Sequence, residues 1–229
     1  MTMQGLLLTL VLALPAAGPP EGYNKAYDIL MAAKVQAYYS HMKDFKASFV
    51  QTYVKRYHGE QKPRYGYVWI KKPGKMYWRY DSPRKRAFVS DGKKIYLYDA
   101  ARKQLIWRTI RLDQLPSATK FLWGSSKILD EFYVKVLPHS KYGGPGKVVL
   151  KLLPKKRSPN FSHILFVLTP KGRQAEVTET IVYDVLGNKN RYRFKHPVIN
   201  SNIPDSRFAF KAPAHTRVIQ ATDKTRIKP

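Results

Sequence analysis

Residues 69–83 read WIKKPGKMYWRYDSP, two tryptophans and two tyrosines set among basic residues around a central Pro-Gly pair. Proline presets one backbone angle of a tight turn and glycine accepts a positive φ, so Lys72-Pro73-Gly74 reads as a turn. The segments on either side, 65–70 and 75–80, are rich in aromatic and β-branched residues and read as the two strands of a hairpin. Tyr67, Trp69, Met76, Trp78 and Tyr80 occupy alternate positions, and on each strand such residues project to one sheet face. Two explanations compete for so many large groups. They are core beneath a helix, or they line a cavity that a curved sheet encloses.

The same texture extends outward in both directions. Runs at 47–57, 87–90, 94–98 and 104–110 continue the strands, and Asp91-Gly92 is a hairpin signal of the strongest kind. Further runs at 132–137, 147–153, 163–168, 175–185 and 191–196 are separated by turns at 142–146, 155–160, 170–172 and 187–188. Short strands at regular spacing predict a mainly β fold, an antiparallel sheet curling toward a barrel, rather than alternating βαβ units. Ahead of them, Tyr27, Met31, Val35, Tyr38, Met42 and Phe45 recur at spacings of three and four and predict one face of an amphipathic helix. A second helical patch at 117–131 carries Phe121, Leu122, Ile128 and Leu129. Gly124 weakens it, which predicts two short helices rather than one.

The chain has 229 residues, the size of one domain, with 42 Lys and Arg against 15 Asp and Glu and a formal charge of +27. Such an excess points to a polyanionic partner: nucleic acid, anionic lipid head groups or lipopolysaccharide. The absence of cysteine excludes disulfides, a thiolate nucleophile, cysteine-ligated metal and lipid attached through cysteine. Residues 1–18 fit a cleaved signal peptide: an apolar run at 6–14 is followed by Pro15, Ala16, Ala17 and Gly18, although no Lys or Arg precedes it. A disordered apolar N-terminus is the alternative. The expected organisation is a leader at 1–18, one domain at 19–220 and a basic disordered tail at 221–229. No later run is long and apolar enough for a transmembrane helix, so a soluble protein outside the cytoplasm is expected.

Site chemistry is sparse. His41, His58, His139, His163, His196 and His215 form no metal-ligand spacing. Asp81, Asp91 and Asp99 sit in turns, and Asp130-Glu131 reads as a helix end rather than an acid and base pair. Gly143-Gly144-Pro145-Gly146 reads as a hairpin loop, not a phosphate cradle, and no nucleophile elbow or dinucleotide fingerprint occurs. The expectation is therefore no enzyme, no cofactor and no metal. Basic residues interleaved with aromatics also suit single-stranded nucleic acid, and the leader weighs against that partner.

The segments DFKASFVQ (44–51), GYVWIKKPGKMYWRYDSP (66–83), VSDGKKIYLYD (89–99), LGNKNRYRF (186–194) and FAFKAPAHTRVI (208–219) follow in order the signature of the LolA family. The chain resembles that family over nearly all of its length after the leader. The resemblance implies a periplasmic carrier that shuttles lipoproteins from the inner to the outer membrane. It further implies an unclosed antiparallel β-barrel with a helical lid around an apolar cavity for acyl chains. Phe49, Tyr67, Trp69, Met76, Trp78, Tyr80, Tyr98 and Trp107 are the expected cavity lining, with Lys72 and Pro73 at its mouth.

Expected partners are triacylated lipoproteins, an inner-membrane ABC lipoprotein-releasing complex and an outer-membrane receptor lipoprotein, met by a monomer. The charge adds anionic membrane surfaces; nucleic acid is not expected. A binder of other lipids or glycolipids is the alternative function. Two positions depart from the family pattern. Lys72 stands where relatives carry an Arg that holds the lid, so it is either a looser latch or a solvated turn lysine. Met76 stands where relatives usually carry Phe, and a flexible thioether still suits an adaptable apolar wall.

Overall fold

A computed structural model describes residues 18–109 and 127–221. The leader sequence up to residue 17, most of the patch at 117–131 and the tail from 222 onward lie outside the described residues. A helix α1 (Ala26–His41) leads into strands β1 (Asp44–Lys55), β2 (Gly59–Glu60), β3 (Arg64–Lys71), β4 (Lys75–Ser82), β5 (Arg86–Asp91), β6 (Lys94–Asp99) and β7 (Gln104–Thr109). A short helix α2 (Ile128–Glu131) opens the second half. It is followed by β8 (Phe132–Val136), β9 (Val148–Pro154), β10 (His163–Lys171), β11 (Gln174–Tyr183) and β12 (Lys189–Ile199). A 3-10 turn (Asp205–Phe208) and β13 (Arg217–Gln220) complete the order.

All of these strands belong to one sheet in the order β13-β7-β6-β5-β4-β3-β1-β12-β11-β10-β9-β8, with β2 paired to β1 alone. Neighbours run antiparallel except β13, which lies parallel to β7. The end strands β13 and β8 do not pair, so the barrel stays open. Register shifts between Lys46 and Ser48, Tyr65 and Gly66, and Val167 and Leu168 bend the sheet, as an extra residue on one strand does. Gly66 is required at its bend. A Cβ there would lie 1.9 Å from the carbonyl oxygen of Arg79 on β4.

Helix α1 roofs the concave face. Met31, Ala32, Val35, Tyr38, Tyr39 and Met42 are buried against the sheet, as the spacing predicts for four of them. The two ends of the predicted stripe differ. Tyr27 is 53% exposed, and its neighbour Asp28 is buried instead, accepting hydrogen bonds from the backbone N–H groups of Lys25 (2.9 Å) and Val136 (2.7 Å). Phe45 belongs to β1, because the helix stops at His41 and Met42 takes an extended conformation. The buried Asp44 carboxylate holds this corner by accepting from Ser201 N–H (2.8 Å), Ser201 Oγ (3.2 Å) and Ile203 N–H (3.3 Å).

Register decides which aromatic groups share a face. Trp78 stands opposite Val68 and Met76 opposite Ile70, whereas Trp69 stands opposite Tyr77 and Tyr67 opposite Arg79. Directly opposed residues point to the same side. Met76, Trp78 and Tyr80 therefore face the concave side, and Tyr67 and Trp69 the convex side. The pairings Tyr77 with Val89, Val89 with Tyr96 and Tyr96 with Trp107 carry the convex row across to β7, and Tyr98 lies on that side too. The C-terminal segment covers part of this row. Phe210 packs against the rings of Tyr77, Tyr96 and Tyr98 at centroid distances of 6.5, 6.4 and 5.6 Å.

Candidate functional site

The roof does not fill the space beneath it. A cavity of about 210 Å³ lies between α1 and the concave face. Tyr38, Tyr39 and Met42 line it from above; Phe45, Ile70, Trp78, Phe132, Leu152, Ile164, Phe166, Val177, Thr180, Val182, Tyr192 and Phe194 line it from eight strands below. The polar side-chain groups of this lining are few, the Thr180 and tyrosine hydroxyls and the Trp78 indole N–H, so the space suits hydrocarbon and offers little to a charged group.

Aromatic edges build one end of it. Phe49 meets Trp78 and Tyr80 at 5.1 Å each and Tyr192 at 6.1 Å, all edge-on, an arrangement favoured by the ring quadrupole. Beyond them the wall turns polar. Gln51 Nε2 donates to Asn190 Oδ1 (2.8 Å) and to Tyr192 Oη (3.0 Å), which ends the apolar lining there. Burial pushes the phenols of Tyr80 and Tyr192 upward, so both remain neutral.

Lysines fasten α1 to the sheet. Lys72 Nζ donates to the backbone carbonyl of Tyr39, in the last turn of α1, and the Lys72 N–H donates to Lys43 O at 2.9 Å. An ammonium at a helix C-terminus is favoured by the macrodipole. Burial pulls the Lys72 pKa below its ordinary value. The adjoining turn is fixed by Ser90, fully buried, whose Oγ donates to Gly74 O at 2.7 Å. On the other side of α1, Lys34 Nζ donates to Gly172 O in the β10–β11 turn at 2.7 Å. The N-terminal end is tied to β8 instead, through Asp28 to Val136 and through Asn24 Oδ1 accepting from Val134 N–H at 2.8 Å.

Of the eight residues nominated from the sequence as lining, Trp78 borders the cavity; Phe49, Met76 and Tyr80 pack beside it on the concave side. The other four lie on the convex side. Tyr67 and Trp69 are stacked on each other at 5.8 Å beneath Arg79, Tyr98 packs on Phe210, and Trp107 lies under Lys94 Nζ at 4.5 Å. They were expected to share the cavity face with Trp78, and strand register corrects this: alternation fixes the faces along one strand, but the pairing across each turn decides which faces join. None of the second-half wall was among the expected lining residues, although the alternating pairs Ile164 and Phe166, and Tyr192 and Phe194, carry the same signal as Trp78 and Tyr80. Among the described residues no group of three His, Asp or Glu is placed to hold a metal, and no helix is long and apolar enough to cross a membrane.

The family profile described as outer membrane lipoprotein carrier protein LolA matches residues 40–211. A protein of Chromobacterium violaceum named outer-membrane lipoprotein carrier protein is 27% identical over 207 residues, spanning 90% of this chain and 95% of its own. One of the same name from Chromohalobacter salexigens is 29% identical over 155 residues, 68% of this chain and 70% of its own. Among solved structures, a conserved protein of Thermus thermophilus shares the fold at a TM-score of 0.50 and 12% identity, over 81% of this chain and 95% of its own.

Proposed function

The chain belongs to the LolA family of outer membrane lipoprotein carrier proteins, and we propose that it carries acylated lipoproteins across the periplasm with their acyl chains in the cavity under α1. The observation that supports this most directly is the hydrocarbon-lined cavity between a helix and an open sheet, with Trp78, Phe166 and Phe194 as the main aromatic wall. It is a binding function, and cargo leaves chemically unchanged.

The energetics suit a carrier that must both hold and release. Each methylene moved from water into such a wall contributes about 0.8 kcal/mol, so even partly buried acyl chains supply ample affinity. The closed cavity of about 210 Å³ is smaller than the roughly 300–1,000 Å³ of sites that enclose ligands of drug size. Acyl chains therefore require α1 to swing outward. Its N-terminal end is anchored to β8, and its C-terminal end is held by apolar packing, by the Lys72 bond and by Asn200 Nδ2 donating to His41 O at 3.1 Å. Closure of the empty form lowers the apparent affinity by the fraction of molecules that are open, which favours handing cargo on. Lys72 holds the roof with a point charge where a guanidinium would offer a planar fork, so this lid opens more readily than one fastened by arginine.

In this reading the cargo is triacylated, an inner-membrane ABC complex loads it, and an outer-membrane receptor lipoprotein receives it from a monomeric carrier. Trp78 and Phe49 act as wall, Lys72 and Pro73 as the edge of the mouth. Native mass spectrometry of the protein purified from the periplasm of its host tests this. A co-purifying triacylated polypeptide at one per chain is the expected result. Free phospholipid or glycolipid in its place would transfer the site to a general lipid binder, and a protein recovered from the cytoplasm would remove the carrier role.

A further inference from the structure

The convex side carries cations that neither the cavity nor the core uses. On adjoining strands, Lys46 stands opposite Trp69, and Ser48 lies between Lys195 and Tyr67. Val50 in turn lies between Arg193 and Tyr65. Lys46, Arg193 and Lys195 are exposed, as is Arg207, whose guanidinium sits 5.0 Å from the Trp69 ring centroid. None of these four meets a carboxylate among the described residues, whereas Arg191 is paired with Glu179 at 2.6 Å and Arg79 with Asp81 at 3.0 Å. Between them Tyr65 and Tyr67 are 48% and 45% exposed. The result is an unneutralised basic patch with amphipathic rings in its middle.

We propose that this patch, formed by Lys46, Arg193, Lys195 and Arg207 around Tyr65 and Tyr67, docks the protein on the phosphate head groups of an anionic bilayer. The cations meet phosphates, and the tyrosines sit at the level where a ring with one polar end is favoured, between head groups and water. A formal charge of +27 supplies the long-range attraction. Nucleic acid offers the same phosphates, but its aromatic partners must present free ring faces for bases to stack. Here the faces of Trp69 and Tyr67 are occupied. Trp69 lies under both Arg79 (5.4 Å) and Arg207, and Tyr67 is covered by Arg79 (4.9 Å) and stacked on Trp69. The patch faces away from the cavity, so a docked molecule keeps its roof free to move.

The assignment rests on the carrier reading, which brings the chain to two membranes, and the test separates the two. The full mature chain is sedimented with vesicles of phosphatidylcholine alone and with added phosphatidylglycerol. The triple variant Lys46→Glu, Arg193→Glu, Lys195→Glu is compared with Arg84→Glu, Lys85→Glu, Lys156→Glu, which changes the net charge equally on exposed loops. Binding to the anionic vesicles alone is expected, weakened on the order of a hundredfold by the patch variant and far less by the loop variant. Equal weakening in both variants would reduce the effect to net charge and overturn the patch. Absence of vesicle binding, or tighter binding to an oligonucleotide at matched phosphate, would overturn it as well. Thermal melts confirm that each variant folds, and the milder Lys195→Ala, Arg193→Ala pair replaces any that does not. Loading of a triacylated lipopeptide, measured on the same samples, is expected to be unchanged in both triples; wild-type protein that sediments but takes up no lipopeptide sinks the carrier reading and leaves the patch standing.

Discussion

Trp69 and Trp78 belong to one hairpin and meet opposite surroundings. Trp78 sits among Phe49, Tyr192 and Phe194, at 5.1, 5.2 and 6.2 Å, with no cation over its ring among the described residues. Trp69 lies under two guanidinium groups and beside Tyr67 and Tyr77. The concave surroundings exclude charge and leave space; the convex ones are filled with charge and leave none. Identical side chains thus serve as a wall for hydrocarbon on one side and as a charged, ring-studded surface on the other, and the difference is set by strand register alone.

The most severe way to break this division is at the bend. Gly66→Ala drives a methyl into the Arg79 carbonyl, and a loss of about 3 kcal/mol or more in denaturant unfolding is expected because backbone, not a flexible side chain, must give way. A paired substitution sharpens the comparison. Trp78→Ala removes ring contact area from any bound chain worth about 1.5 kcal/mol, so the Kd for a fluorescent fatty-acid probe rises about tenfold. Trp69→Ala leaves that Kd unchanged. Equal effects in the two variants would mean that the faces are not separate.

Smaller effects are expected at the fastenings. Lys72→Leu removes the hydrogen bond to Tyr39 O, and the probe's on-rate rises about fivefold, in keeping with about 1 kcal/mol for a partly exposed bond of this kind. Lys72→Arg lowers the on-rate below that of the unsubstituted protein, because the planar fork holds the roof more firmly. An on-rate that ignores both changes reduces Lys72 to a turn residue. On the convex side, Lys71 and Lys75 bond the exposed Asp205 carboxylate at 2.8 and 2.6 Å and hold its pKa at about 2 rather than 3.8. A depressed carboxylate stabilises the folded state above its ordinary pKa, and that contribution fades as pH falls from about 4 to about 2. Hydrogen exchange of residues 203–210 should accelerate over that interval, and Asp205→Asn should abolish the pH dependence.

Much of this architecture was legible in the sequence. Turn residues such as Asp91-Gly92 and alternating strands located nearly every β element, and the period of α1 found Met31, Val35, Tyr38 and Met42. What alternation cannot supply is which face of one strand continues into which face of the next. Trp69 and Trp78 differ in parity across the Lys72-Pro73-Gly74 turn, and only the pairing of Trp69 with Tyr77 shows that they diverge. The four-residue β13 was illegible for a different reason. Its pairing with β7 is parallel and joins distant parts of the chain, and Arg217–Gln220 is too short to show a period. The Asp44 hub was hidden as well, since nothing near a lone aspartate announces donors at Ser201 and Ile203.

The most direct measurement places a benzophenone amino acid at Phe166, in the cavity wall, and separately at Tyr67, on the convex side, then irradiates each protein with triacylated lipopeptide. Cross-linking at Phe166 and not at Tyr67 is the expected result. Cross-linking at Tyr67 alone, or equally at both positions, would contradict acyl binding beneath α1.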